Sequence, residues 1–301
     1  MPTASTLSGY TFSNWGPLTT TFTAPTSCAT VTRNVGAGQS ASFPLYYFGE
    51  ECSSVYDWSC APTGTITSLP PRYTSPDLTP QSEMQGSYFS PGLYCPSGWA
   101  TVGLASRDGD KPVTSSGAVS PIGPVPTHFT FPFRNNRANV FMQMLEPNET
   151  AVWCCPSSMT ANTLVGCYST LPDYEISTVC SMVMPRNNVV TESATVLLDG
   201  TMVSGPMVSI TGTHLISTTR YNVTDSYELV GLTVAPFVTI VHQSGDLPAS
   251  MTVHQSSDLP TSTSTAAVKT NGVSSNKGRF GGVLLVWMTA MTVGVVEVML
   301  R

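Results

Sequence analysis

Two adjacent cysteines, Cys154 and Cys155, lie in the segment NETAVWCCPSS (148–158) and are the residues best suited to chemistry. Zinc ligands usually come in Cys or His pairs about two to four residues apart, because such a turn brings both to one metal. A redox pair usually has the CxxC spacing at a helix start, which lowers one thiol pKa. The sequence contains no CxxC and no HxxxH. Because adjacent side chains on a strand point to opposite sides, we expect two structural disulfides that hold one strand to two neighbours. A metal site and a strained redox pair are the alternatives.

The cysteines are even in number and are confined to one part of the chain. They are Cys28, Cys52, Cys60, Cys95, Cys154, Cys155, Cys167 and Cys180. This distribution predicts a disulfide framework of up to four bridges, whose pairing the spacing does not reveal. Two N-glycosylation motifs, Asn148 in NET and Asn222 in NVT, agree with an oxidising, secretory compartment. Chance occurrence in a Thr-rich chain is the alternative for each motif.

Other residue types that carry catalysis or bind metals show no diagnostic spacing. The histidines, none of which lies near a GxSxG nucleophile motif, are His128, His214, His242 and His254. The RDGDK segment (107–111) has two aspartates but lacks the remaining ligands of a calcium loop, so it predicts a turn. Carboxylates such as Asp173, Glu175 and Glu192 cannot be identified as an acid–base pair from sequence. The sequence therefore indicates no catalytic, cofactor-binding or metal-binding residue, and a protein that is not an enzyme.

Three tryptophans, Trp58, Trp99 and Trp153, each lie within a few residues of a cysteine. Exposed tryptophans along one face would stack on sugar rings, whereas buried ones would pack over disulfides. We expect the second arrangement.

The composition excludes one class of partner and favours one class of environment. Only 10% of the 301 residues are charged and the formal net charge is −6. No basic cluster is present that could follow a phosphate backbone, so we expect no nucleic-acid partner. Low charge together with abundant Ser, Thr, Gly and Pro is typical of extracellular proteins, whose surfaces are hydrated by glycans.

Short apolar or alternating runs, broken by Gly, Pro and Asn, predict an all-β or β-rich domain over residues 28–242. The runs are SASFPLYYF (40–48), THFTFPF (127–133), ANVFMQML (138–145) and YEISTVCSMVM (174–184). Asp199 and Gly200, between two β-forming runs in ATVLLDGTMVSG (194–205), predict a hairpin turn. Residues 1–27, which are rich in Ser and Thr, are expected to form an ordered arm or a loose leader.

The composition changes after His242. The segment VHQSGDLPAS (241–250) is nearly repeated as VHQSSDLPTS (253–262), which we interpret as a local duplication in a tolerant segment. Residues 243–280 have little to bury and predict a low-complexity stalk. Residues 281–301 are mostly apolar and carry no charge apart from Glu297 and Arg301, and about 20 such residues in a helix span the roughly 30 Å of a bilayer core. We therefore predict a single membrane anchor helix.

Three questions about the chain ends stay open at this stage. A signal for a glycolipid anchor, cut near Asn271-Gly272, is the alternative to a retained helix. Lys277 and Arg279 precede the helix and only Arg301 follows, which by the positive-inside rule places the N-terminal domain in the cytoplasm. The cysteines and glycosylation motifs favour the outside. The first 23 residues lack the pattern of a signal peptide, which leaves an upstream leader, a removed leader or a cytosolic protein.

A set of motifs resembles a recurring pattern in uncharacterised fungal cell-surface proteins. The motifs are SPGLYCPSGWATVG (90–103), NETAVWCCPSSMT (148–160), GCYS (166–169) and YELVGLTVAPFVTIVHQSGDL (227–247). Some members of this group are loosely labelled LPXTG-domain-containing, but LPTST (259–263) lacks the glycine of that motif. Ser158 stands where the pattern usually has Gly. The resemblance implies a surface location, disulfides and a membrane helix, and it implies no activity.

Together these features predict a disulfide-stapled, β-rich ectodomain on a stalk and a transmembrane helix. We expect a fungal cell-surface glycoprotein of structural or adhesive type, with the membrane and cell-wall polysaccharide as its partners. A carbohydrate-binding wall sensor and a secreted hydrolase are the alternatives. The first requires exposed tryptophans, and the second requires a pocket with converging carboxylates or a Ser–His pair.

Overall fold

Short runs of alternating apolar and polar residues form mainly antiparallel strands, as their period of two predicts. The computed structural model describes residues 6–7, 10–26, 28, 35–39, 60–64, 85–120, 127–133, 135–163, 166–171, 173–183, 189–198, 201–210, 217–222 and 229–247. These ranges contain fifteen strands and one α-helix, so the predicted β-rich, disulfide-linked fold is confirmed.

The strands and the helix have the following bounds. In chain order they are β1 Thr6–Leu7, β2 Tyr10–Asn14, β3 Gly36–Gln39, β4 Gln85–Tyr88, β5 Trp99–Ser106, β6 Thr114–Gly117, α1 Arg137–Gln143, β7 Glu149–Pro156, β8 Thr160–Asn162, β9 Gly166–Leu171, β10 Thr178–Val183, β11 Val189–Leu198, β12 Thr201–Ile210, β13 Ser217–Asn222, β14 Leu229–Ala235 and β15 Val238–Gln243. A short 3-10 turn, Ser244–Asp246, follows β15.

An antiparallel sheet in the order β15-β7-β5-β6 is the centre of the fold. Successive residues along each strand lie on opposite faces of this sheet, as the pleat requires. On one face Ala105, Ala151 and Val241 belong to an apolar cluster that includes residues of α1. On the other face Val152 and Ile240 belong to a second apolar cluster. Both faces of β7 are therefore covered, which explains why most of this strand is buried.

A second antiparallel sheet has the order β3-β14-β9-β8. Three smaller ladders join β1-β2-β4, β10-β13 and β11-β12. The β11-β12 pairing brings Leu198 opposite Thr201, so the hairpin predicted around Asp199 and Gly200 is confirmed. The two turn residues themselves lie outside the described ranges.

Part of the predicted N-terminal arm, residues 1–27, belongs to the folded domain. Strand β2 pairs in parallel with β4. Tyr10, Phe12 and Trp15 are each no more than 5% exposed. Tyr10 also donates a hydrogen bond of 2.8 Å from its hydroxyl to the carbonyl of Asn135. These residues therefore supply core that the Ser/Thr-rich composition concealed.

The prediction of a strand at ANVFMQML (138–145) is wrong, because Arg137–Gln143 forms α1. The side chain of Asn136 accepts a hydrogen bond of 2.7 Å from the backbone N–H of Asn139, which caps the helix start. Ala138 through Met142 are all buried. A helix enclosed on all sides shows no polar stripe, so its period of 3.6 residues was hidden.

Two further predicted strands are only partly present. THFTFPF (127–133) forms isolated bridges to β12 through His128 and Phe133 rather than a strand, and it contains a proline that cannot donate to a ladder. Within residues 174–184 the described strand is Thr178–Val183, and residues 174–177 are not part of a strand. The run at 40–48 lies outside the described residues.

Three disulfides are described, and they confirm that the adjacent cysteines bond to different partners. Cys154 bonds to Cys95 and Cys155 bonds to Cys167, with Cα–Cα distances of 5.7 and 5.6 Å. Because Cys155 is on β7 and Cys167 is on β9, that bridge joins the two four-stranded sheets. The third bridge links Cys28 to Cys60. Cys180 is also disulfide-bonded, and Cys52 lies outside the described residues.

The C-terminal predictions fall largely beyond the part of the chain that is described. Residues 1–255 form one compact unit. Within it, β15 continues to Gln243, one residue past the predicted domain end, and the described chain runs to Leu247. The rest of the stalk and the anchor helix predicted for residues 281–301 lie outside the described residues. Among the described elements, no helix has the length and apolar character needed to cross a bilayer.

Candidate functional site

A row of polar side chains crosses one end of the central sheet. His242 on β15 lies opposite Thr150 on β7, and Thr150 lies opposite Ser106 on β5. Residues directly opposite each other on paired strands point to the same face. The row continues to Thr114 on β6, whose hydroxyl lies 3.1 Å from the Ser106 hydroxyl. Strand register therefore brings together polar groups that are far apart in the sequence.

This row forms one wall of a pocket of about 190 Å³. The residues that line the pocket are Ser106, Arg107, Asp108, Asn148, Thr150, His242, Ser244 and Leu247. Seven of these eight residues have polar side chains, and Leu247 is the exception. The pocket can therefore both donate and accept hydrogen bonds.

His242 is the most buried polar member of the pocket, with 7% of its surface exposed. Neither ring nitrogen has a hydrogen-bond partner among the described residues, and both nitrogens are buried. Burial lowers the pKa of His242 below its usual value of 6.5, while the nearby backbone of Gly92 and the carboxylate of Asp246 oppose this effect. The Gly92 backbone is close to the ring but outside hydrogen-bond geometry. At neutral pH the ring is uncharged and offers one donor and one acceptor.

Arg107 supplies the second buried donor. Its Nη2 donates a hydrogen bond of 3.3 Å to the carbonyl of Gln143 at the end of α1. Its Nε is buried and has no acceptor among the described residues. Beside it, Asp108 forms an exposed ion pair with Lys111, and Gly109 has a positive φ of 56°. The turn predicted for residues 107–111 is therefore confirmed.

Asn148 forms the rim of the pocket. It is exposed and is the only described residue other than glycine with a positive φ, of 66°. Asparagine tolerates this left-handed conformation better than most residues. Its Oδ1 accepts a hydrogen bond of 3.3 Å from the N–H of Gly109. Its Nδ2, the atom that carries the glycan in an N-glycosylation motif, has no acceptor in the described part of the chain.

Glu149, the next residue, has a separate structural role that no sequence pattern indicates. It is only 1% exposed, and its Oε2 accepts a hydrogen bond of 2.9 Å from the backbone N–H of Glu146. Burial raises the pKa of Tyr88, and the charges of Glu149 and Glu146 add to that effect. This carboxylate holds the tight turn that presents Asn148.

Two of the three tryptophans singled out above lie in the described part of the chain, and both pack against apolar clusters. Trp153 is 3% exposed and belongs to the cluster that contains Phe141. Trp99 is half-buried and packs against the cluster that contains Cys154, together with Cys95. Packing beside a disulfide is thus confirmed for Trp99, and Trp153 is too buried to stack on a sugar. Trp58 lies outside the described residues.

The remaining predicted residues are dispersed. His128 is exposed on the segment beside β12, whereas His214 and His254 lie outside the described ranges. His242, the last residue of the predicted domain and part of the repeated segment, lies in the core strand β15. Asn222 is exposed at the end of β13. The described residues contain no cluster of His, Cys, Asp and Glu able to hold a metal ion.

Acid is expected to destabilise the domain through His242. Its folded-state pKa is depressed, so as the pH falls below about 6.5 the unfolded chain takes up a proton first. The free energy of unfolding should therefore fall as the pH drops through that window and should level off below the folded-state pKa. Urea unfolding across this range tests the expectation. His242→Gln should remove this part of the pH dependence, whereas His128→Gln, at an exposed site, should keep it. An unchanged pH profile for His242→Gln would show that other groups cause the loss.

Comparisons of the chain with models of known protein families, with curated proteins and with solved structures find no match. Any function therefore rests on the residues described above.

Proposed function

We propose that this chain is a membrane-anchored fungal cell-surface glycoprotein with its β-rich domain outside the cell and a structural or adhesive role. The observation that carries the proposal is the pair Cys154 and Cys155. Both are 0% exposed, and each belongs to a different disulfide.

Disulfides persist in oxidising compartments and are rare in the cytosol. All seven described cysteines are bonded, and no described cysteine is free. Two of the bridges reach into the core. They involve Cys154 and Cys155, which are buried on opposite faces of β7. A chain that folded in a reducing compartment would leave these thiols buried and unlinked. The arrangement therefore favours folding in the secretory pathway.

The glycosylation motifs are in suitable places for this assignment. Asn148 is exposed on a turn, and Asn222 is exposed at a strand end. Both positions leave room for a bulky glycan, which is normally attached at the surface. Such glycans would hydrate a surface that has few charges.

A structural or adhesive role agrees with how the domain is reinforced. Cross-links between two sheets and between a loop and the central strand β7 restrict local opening, which is the usual route to proteolysis. A domain held at the cell wall benefits from that resistance. The membrane and cell-wall polysaccharide are the partners that this role implies.

The test is expression of the full chain in a fungal host, with detection by an antibody against residues 85–247. Removal of N-glycans should increase gel mobility, and Asn148→Gln with Asn222→Gln should abolish the change. The antibody should stain intact cells, and the protein should be retained on isolated cell walls. Absence of a glycan shift, together with free thiols in the isolated protein, would refute the surface assignment. Surface staining without retention on walls would refute only the adhesive role.

A further inference from the structure

We infer that the pocket next to Asn148 binds the first sugar of a glycan attached to that residue. The occupant is an N-acetylhexosamine unit joined covalently to Nδ2 of Asn148 and packed against Ser106, Thr150 and His242. This inference rests on the proposed function, because it requires passage through the secretory pathway.

The attachment geometry is already in place. The N–H of Gly109 holds Oδ1 of Asn148 at 3.3 Å, which fixes the side-chain amide and leaves Nδ2 without an acceptor among the described residues. The backbone N–H of Asn148 also donates a hydrogen bond of 2.7 Å to the carbonyl of Arg107. In the transfer reaction Nδ2 displaces a lipid diphosphate from C1 of the sugar donor and loses one proton. None of the hydrogen bonds that hold the asparagine has to break for the product to be accommodated.

The pocket matches the chemistry of a single sugar unit. Sugar hydroxyls both donate and accept hydrogen bonds, and the acetamido group adds one donor and one acceptor. The hydroxyls of Ser106, Thr150 and Ser244 have the same dual capacity, and His242 offers one of each. The volume of about 190 Å³ is below the roughly 300–1,000 Å³ of drug-sized ligand sites, so one sugar fits better than an oligosaccharide.

The buried polar atoms explain why an occupant is needed. Both ring nitrogens of His242 and Nε of Arg107 are buried, and none has a partner among the described residues. A buried donor or acceptor without a partner destabilises the folded state. His242 lines the pocket directly, and Asn148 is on its rim. A sugar tethered at Asn148 lies within reach of these atoms at high effective concentration, since no separate binding event is required.

The experiment compares three forms of the full chain, purified from a fungal host in the Asn222→Gln background. One form carries the intact Asn148 glycan, one is trimmed to a single N-acetylglucosamine by an endoglycosidase, and one is stripped by an amidase. The trimmed form should keep the Tm of the intact form. The stripped form should melt about 3 °C lower, a shift of ordinary size for one lost interaction in a domain of this length. Asn148→Asp has the same residue at position 148 as the amidase product, so its Tm should equal that of the stripped form.

Two matched variants isolate the pocket. With Asn222→Gln and His242→Gln combined, the Tm difference between the trimmed and stripped forms should fall to near zero. With Asn148→Gln, the glycan at Asn222 remains, and trimming or stripping it should leave the Tm unchanged, because Asn222 is not one of the residues that line this pocket.

The possible failures are distinguishable. If mass spectrometry finds Asn222 glycosylated and Asn148 bare, the inference is overturned and the proposed function stands. Equal Tm values for the trimmed and stripped forms, with Asn148 occupied, would have the same consequence. Binding of free N-acetylglucosamine by the intact glycosylated form would also overturn the inference, since the pocket would then be open. If neither asparagine is glycosylated, the inference and the proposed function fail together.

Discussion

Replacement of Cys95 and Cys154 by alanine is expected to lower the free energy of unfolding by about 4 kcal/mol. The bridge between them closes a loop with a sequence separation of 59 residues. In the chain-entropy account, removing such a cross-link lets the unfolded chain regain about 4 kcal/mol of conformational freedom. Cys154 is also fully buried and contributes to an apolar cluster, so the loss of its sulfur adds to the effect.

The second bridge from the adjacent pair provides the matched comparison. Cys155 and Cys167 are separated by only 12 residues, and their replacement should lower the free energy of unfolding by about 3 kcal/mol. Three of these four cysteines are on strands of the two four-stranded sheets, and Cys95 lies in the loop before β5. The difference between the two double variants therefore tests whether loop length determines the loss in the free energy of unfolding.

Guanidinium unfolding of each double variant gives both values, and the m-value reports any change in the unfolded state. Replacement of Cys28 and Cys60, whose separation is 32 residues, should fall between the other two. A larger loss for the Cys155 and Cys167 variant would contradict the entropic ordering. It would show that joining the two sheets in the native state matters more than restricting the unfolded chain.

The behaviour of these cysteines shows what local sequence can and cannot specify. That Cys154 and Cys155 have different partners followed from the pleat alone, because neighbouring side chains on a strand diverge. Which cysteines they reach depends on which strands flank β7, and that is decided by pairing between distant segments. The bridge to Cys167 connects strands of different sheets, for which no local pattern exists.

Whether the N-terminal segment is ordered could not be decided from its sequence, for a related reason. Tyr10 and Phe12 alternate with polar residues, which is a strand signal, but it is short and lies in a Ser/Thr-rich context. The strand is stabilised by parallel pairing with β4, some 75 residues later, and by burial against α1. Neither partner can be identified from the segment itself.

The pocket was hidden by the repeat. VHQSGDLP and VHQSSDLP have nearly the same local sequence, and the predicted domain ended at His242, so no pattern marked the first copy as part of a site. The first copy follows Val238, Thr239 and Ile240, which continue β15 into the core. His242 is therefore positioned by its neighbours on β7 rather than by its own motif. Asn148, by contrast, was identifiable from its triplet, although its place on the pocket rim was not.

Replacement of Phe141 by alanine is the second change for which we expect a large effect, a loss of about 3–5 kcal/mol in the free energy of unfolding. Phe141 is 3% exposed and lies among three other aromatic rings. Its ring centroid is 5.1 Å from Phe12, 5.3 Å from Tyr88 and 6.0 Å from Trp153. These rings belong to β2, β4 and β7, so one side chain links α1 to two sheets.

Thermal or chemical unfolding measures the loss, and Phe131→Ala provides the control. Phe131 is 61% exposed, so its truncation should change the free energy of unfolding by no more than about 0.5 kcal/mol. A similarly small effect at Phe141 would mean that α1 does not pack on the N-terminal strands as described. The assignment of β2 to the core would then have to be abandoned.

Phe141→Leu separates the volume of the ring from its geometry. Leucine retains much of the buried apolar surface but loses the tilted and edge-to-face contacts with Phe12, Tyr88 and Trp153. Such aromatic pairs are worth about 0.5–1.5 kcal/mol each beyond the area they bury. If the leucine variant loses nearly as much as the alanine variant, the ring contacts hold the helix in place. If it loses little, filling the space between the N-terminal strands and β7 is sufficient, and helix docking depends on volume alone.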